Sequence, residues 1–138
     1  MTRWTTLLIA FCACWTLLAP PVRAHHPIGE VYDEERTLVV EGEVASFLFG
    51  DPHSMVQLRV RESDGVKHTW SVEWRPALQL ERQGWNATAL HEGERVRICG
   101  HPGRDPGAFR LYLRSLTQLA SGKTTFSPPP DGSAPCGR

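Results

Sequence analysis

Residues 54–61 alternate without a break. Val56, Leu58 and Val60 point one way, and Gln57, Arg59 and Arg61 point the other. Strict period two over this length predicts a β-strand with one buried face. Ser63-Asp64-Gly65 follows as a hairpin turn. Residues 67–74 then resume the alternation, with His68, Trp70, Val72 and Trp74 on one face and Thr69, Ser71 and Glu73 on the other. Upstream, residues 37–49 are rich in β-branched and aromatic side chains and predict a long first strand. Leu38, Val40, Val44 and Leu48 fall on one face, and Glu41 and Glu43 on the other. Gly42 interrupts the inward row. A glycine inside a strand marks a bulge or bend, which would let one strand serve two sides of a small barrel. Gly50-Asp51-Pro52-His53 is a turn by composition.

The period changes after Trp74. Pro76 opens Ala77-Leu78-Gln79-Leu80-Glu81-Arg82-Gln83, and Gly84 closes it. Proline at the start and glycine just past the end predict a helix. A helix this short needs packing to hold it, with Leu78, Leu80 and Trp85 as the expected plug. Asn86 to Leu90 reads as a capped turn. Strand four is expected over residues 95–100, with Val96 and Ile98 inward, and strand five over residues 109–119, with Leu111 and Leu113 inward. Three strands, a helix and two strands is the OB order. The predicted class is mainly β: a small five-stranded OB-like barrel with one short helix between strands three and four.

The ends read differently. Met1-Thr2-Arg3 is a short positive start, and residues 5–19 are apolar and uncharged. Pro20 and Pro21 break the run, and Val22-Arg23-Ala24 supplies small or modest residues for a cleavage site. This is the order of a secretory signal. The run is also shorter than the roughly 20 residues that cross a bilayer. The expected division is a signal peptide at residues 1–24, an N-terminal arm at 25–36, the barrel at 37–119 and a disordered Ser/Gly/Pro-rich tail at 120–138. The expected location is periplasmic or secreted, with no transmembrane anchor after cleavage. Arg3 and Arg23 leave with the leader and no acid does, so 15 basic residues become 13 against 15 acids, net −2. That balance argues against a nucleic-acid partner held by bulk charge. Cys12 and Cys14 also leave. Cys99 and Cys136 remain as a disulfide candidate in an oxidising compartment, with two separate thiols as the alternative.

Cleavage after Ala24 would also create chemistry. His25 becomes the first residue, so its α-amine and imidazole can chelate one ion. His26 adds a second ring, and His53 sits in a loop that the fold could bring near. Nitrogen donors in this number suit Cu(II), and also Zn or Ni. Copper is the cofactor this reading names; the alternative is polar residues on an arm and a turn. His68 reads as a core or barrel-end histidine. Arg59, Arg61, Arg97, Arg110 and Arg114, with Tyr112 among them, form an outward face. Such a face could bind an anionic sugar, peptide or oligonucleotide. It could equally be solvated and paired across strands to Glu41, Glu43 and Glu73. No Gly-x-Ser-x-Gly, His-Glu-x-x-His or phosphate-cradling glycine loop occurs, so no enzyme is predicted.

Several local marks occur in order: Ala24-His25-His26, Asp51-Pro52-His53, Trp70-Ser71-Val72-Glu73, Arg82-Gln83-Gly84-Trp85, and Gly93-Glu94 ahead of Val96-Arg97-Ile98-Cys99-Gly100. With them the chain resembles, from about His25 to Leu119, a family of small exported bacterial proteins grouped as a domain of unknown function. The resemblance implies export and a small β-barrel, and no established reaction. Asp51 departs from the asparagine more usual before Pro-His. The expected function is an exported, non-catalytic OB-like binding module. Its partner is expected to be a small ligand or another exported protein. The alternative is a periplasmic copper-binding protein built on the new N-terminus.

Overall fold

The computed structural model describes residues 28–126 and residue 136. A single helical turn, α1 (Ile28–Val31), leads into β1 (Leu38–Leu48), β2 (Met55–Arg61), β3 (Lys67–Glu73), α2 (Ala77–Glu81), β4 (Arg95–Pro102), β5 (Arg110–Gln118) and β6 (Thr124–Phe126). The sheet order is β3-β2-β1-β4-β5-β6, and a parallel pairing of β3 with β5 closes the first five strands into a barrel. Closure removes the free edges that an open sheet would present.

β1 does serve two sides. Residues 38–43 pair with β4 and residues 43–48 with β2. The register shift lies between Val44 and Ser46, so Ala45 is the extra residue. Gly42 has another duty: a Cβ there would stand 2.4 Å from the Arg59 carbonyl oxygen, so the strands cross too closely for any side chain. The bulge also inverts the facing of the last residues of β1. Phe47 packs on the core, and Leu48, expected inward, is 64% exposed. Leu38 is exposed as well.

Inside lie Val44, Val56, Leu58, Val72, Val96, Ile98, Leu111, Leu113 and Leu116, all fully buried. Trp74 and Trp85 meet edge to face at 4.7 Å and, with Leu80, plug one end. Leu78 does not join them. Positions two apart on a helix point to nearly opposite sides, so burying Leu80 leaves Leu78 at 56% exposure. A second bulge falls on β5: Cys99 faces Ser115 while Gly100 faces Leu113, leaving Arg114 as the extra residue.

The flanks are more structured than their composition implies. Tyr32, in the segment expected to be an extended arm, is buried and bridges Gly103. Backbone bonds from Asp33 N–H to Pro102 and from Arg104 N–H to Val31 pin this segment to the barrel. Beyond residue 120, where regular structure was not expected, β6 pairs with β5. Cys99 and Cys136 form a disulfide with a Cα–Cα separation of 6.1 Å. The bridge spans 37 residues, a length for which cross-linking contributes about 2–4 kcal/mol. Cys136→Ser is expected to lower unfolding stability by that amount in urea titration. Reductant should do the same to the parent and nothing to the variant.

Candidate functional site

The outward face predicted on β2, β4 and β5 divides into three parts. Arg59 and Arg61 line a groove of about 460 Å³ together with Glu41, Gly42, Glu43, Val60, Lys67 and Arg95. Strand register explains the grouping. Arg61 faces Lys67, while Glu43 faces Arg59 on one side and Arg95 on the other. Two of the charges are neutralised: Arg59 pairs with Glu92 at 3.2 Å, and Glu41 with Arg97 at 2.6 Å. Arg97 is thereby a cross-strand partner rather than a groove residue. Arg61 donates to the Gly65 carbonyl, which orients the guanidinium without cancelling its charge. Among the described residues, Lys67, Arg95 and Glu43 have no ion-pair partner. The groove therefore carries a surplus of positive charge around a small opening.

Arg110 and Tyr112 belong to a different cluster, beneath the N-terminal segment. The Tyr32 hydroxyl donates to one Glu73 carboxylate oxygen at 2.7 Å, and the other oxygen lies 3.1 Å from His53 Nδ1. Tyr112 packs on Tyr32 with centroids 5.6 Å apart, and the Arg110 guanidinium stands 6.0 Å from the Tyr32 ring centre. Burial, then the Glu73 hydrogen bond and charge, push the Tyr32 hydroxyl far above its ordinary range. Burial likewise raises Tyr112, against the lowering influence of Arg75. These are the only two tyrosines. A pKa raised on folding gives stability that is complete below about pH 10, the unfolded value, and that falls as pH rises beyond it. Phenolate absorbance in an alkaline titration of the folded protein is therefore expected to rise at higher pH than it does for free tyrosine. Tyr32→Phe should reduce the alkaline loss of stability.

Arg114 is not on the surface. The bulged residue of β5, it is 8% exposed, covered together with His101 where the segment at Arg36 crosses the barrel. Its Nη1 lies 2.6 Å from His101 Nε2, and His101 Nδ1 lies 2.8 Å from the Arg36 carbonyl. Arginine only donates and a carbonyl only accepts, so the chain is satisfied with the proton on Nδ1.

His53 is held at Glu73, while His25 and His26 lie outside the described residues. Among the described residues, no group of three or more His, Cys, Asp or Glu side chains is placed to hold a metal ion. His68 is a barrel-end residue, as expected. Its ring stacks on Phe109 at 4.0 Å and 15°. Phe109 has φ 45°, a left-handed backbone that costs a bulky residue on the order of 1–3 kcal/mol. It also meets Trp70 edge-on at 5.5 Å. Reading the sequence missed Lys67, Arg95, Tyr32 and Phe109. The first was within reach, because the Ser63-Asp64-Gly65 hairpin sets Lys67 opposite Arg61.

A closed barrel in the order β1-β2-β3-β5-β4 with a short helix between β3 and β4 is an OB-like barrel. The chain belongs to a family of unknown function (DUF6152), whose profile matches residues 15–111. No curated protein matches the chain. Similar solved structures include the mitochondrial single-stranded DNA binding protein Rim1 from S. cerevisiae, at 12% identity and TM-score 0.47, covering 61% of this chain and 93% of that one. Another is the N-terminal domain of PriB protein from Thermoanaerobacter tencongensis, at 18% identity and TM-score 0.42, covering 61% and 96%. A third is a small single-stranded DNA-binding protein from Streptomyces coelicolor, at 16% and 0.38, covering 64% and 96%. No helix among the described residues is long and apolar enough to cross a membrane.

Proposed function

We propose that this chain is an exported, non-catalytic OB-like module that binds a small anionic ligand in the groove between β1 and β2. One observation carries the reading: Arg61, Lys67 and Arg95 surround an opening of about 460 Å³ with only Glu43 left to oppose them. That volume is in the range of small-molecule sites. The lining offers charge and shape: four basic and two acidic side chains beside Gly42 and Val60. The charged start, apolar run and Val22-Arg23-Ala24 support export to the periplasm or beyond. Barrels of this type include oligonucleotide binders, so an oligonucleotide belongs among the anions to be compared.

Inorganic tripolyphosphate is the simplest probe. Calorimetric titration at low salt is expected to show binding that weakens as salt is added, because exposed charges are screened. The double variant Arg61→Glu, Lys67→Glu is expected to weaken it on the order of 10- to 100-fold. Arg110→Glu, in the other cluster, should leave it unchanged. Equal affinity in parent and double variant would refute the assignment.

A further inference from the structure

The cluster at Glu73 has a feature that anion binding in the groove leaves unused. Met55 pairs with Glu73, and Ser54 exchanges backbone bonds with residues 74 and 75, which brings His53 to the end of β3. One Glu73 carboxylate oxygen accepts from the Tyr32 hydroxyl, and the other lies 3.1 Å from His53 Nδ1. That Nδ1 is buried, although the His53 side chain as a whole is 31% exposed. The ring nitrogen turned away from the carboxylate is therefore Nε2. A histidine that ligates a metal commonly sets its other nitrogen against a carboxylate, which fixes the ring and makes it a stronger donor.

One imidazole makes no site by itself. The further donors come from the chain that the same carboxylate anchors. Tyr32 closes a turn back to the Ile28 carbonyl, Arg104 Nε donates to the Gly29 carbonyl, and the Arg104 N–H donates to Val31. Residues 28–32 are thus tied to the barrel, with Tyr32 reaching Glu73. His26 and His25 precede Ile28 by two and three residues. At 3.3–3.6 Å per residue, the tether to them is roughly 10 Å at most. With export, His25 is the first residue and offers its α-amine as well as its ring. Donors on so short a tether act at high effective concentration. The set is one amine and three imidazoles, and nitrogen donors rank Cu(II) above Ni(II) and Zn(II).

We propose that the N-terminal segment and the turn between β1 and β2 together form a copper(II) site. The His25 amine and ring, with the His26 ring, bind from one side and His53 Nε2 from the other. Glu73 is a positioning residue that orients His53. The proposal rests on the export part of the reading above and is independent of the groove.

The test uses protein exported from the full-length gene in a bacterial host. Mass spectrometry is expected to find His25 first, and any other start overturns the proposal. Copper(II) is then titrated in competition with a chelator, and the bound ion is followed by electron paramagnetic resonance. One equivalent with nitrogen hyperfine structure is expected, bound more tightly than Zn(II). His53→Ala and Glu73→Gln are each expected to weaken binding about 10- to 100-fold. The first should remove a nitrogen from the spectrum, and the second should shift the spectrum without removing one. A cooperative thermal melt checks that each variant folds, and His53→Asn stands in if His53→Ala does not. Equal affinity and an equal spectrum in parent and variants would mean that the first residues hold copper alone, and the proposal is overturned. It is overturned equally if no copper binds. Tripolyphosphate titration of the same samples is expected to match the parent throughout, so failure here leaves the groove reading standing.

Discussion

Trp74→Ala is expected to destabilise the barrel by about 3–5 kcal/mol, the usual range for deleting a buried tryptophan. Trp74 is 1% exposed. Its ring meets Trp85 at 4.7 Å and Phe47 at 6.3 Å, joining the end of β3 to the segment after α2 and to the end of β1. Alanine would leave a cavity where three segments converge, and the backbone bonds exchanged between residues 74–75 and Ser54 would lose their backing. Trp74→Phe should cost far less. The Trp74 indole N–H has no hydrogen-bond partner among the described residues, and a buried unsatisfied donor costs about 1–3 kcal/mol. Phenylalanine keeps most of the ring contact and carries no such donor. Urea unfolding of both variants checks the pair. A tryptophan-to-phenylalanine loss as large as the alanine loss would show that the indole is satisfied in a way the barrel does not reveal.

Gly42→Val is the second change with a large expected effect. The added Cβ would be 2.4 Å from the Arg59 carbonyl oxygen and 3.0 Å from Leu58 Cγ. The obstacle is backbone on one side and core on the other, so no side-chain rotation relieves it. β1 and β2 must move apart at the residue where β1 passes from one neighbour to the other. Overpacking of this kind costs typically 1–3 kcal/mol and more when backbone is displaced. Gly42 also lines the groove, so tripolyphosphate binding should fall in step with the melting temperature. Gly50→Val, where an added Cβ meets nothing within 4 Å, is the contrasting control.

The strands were legible where alternation and a short hairpin act together. Residues 55–61 and 67–73 lie in register as the Ser63-Asp64-Gly65 turn demands, and that register also fixes Arg61 beside Lys67. Single-residue bulges escape such reading, because one extra residue reverses every facing beyond it. That reversal exposed Leu48 and turned Leu116 inward, while Arg114, the extra residue itself, is buried against His101. Leu78 illustrates a different limit: both leucines of α2 are apolar, but only one side of a five-residue helix meets the core. Tyr32 and β6 were missed because polar, proline-flanked segments carry no periodic signal, and their order comes from backbone bonds to the barrel. The candidate site was half visible. Arg59 and Arg61 line the same groove, as their alternation along β2 implies. Arg110 and Tyr112 appeared to share it only because a barrel's curvature is absent from a linear pattern.

The most direct check tracks backbone amide shifts during a tripolyphosphate titration of the folded protein. The largest changes are predicted at residues 41–43, 59–61, 67 and 95, fading as salt is raised. Changes centred instead on Tyr32, Glu73 and Tyr112, or no change anywhere, would contradict the assignment of the β1–β2 groove as the binding site.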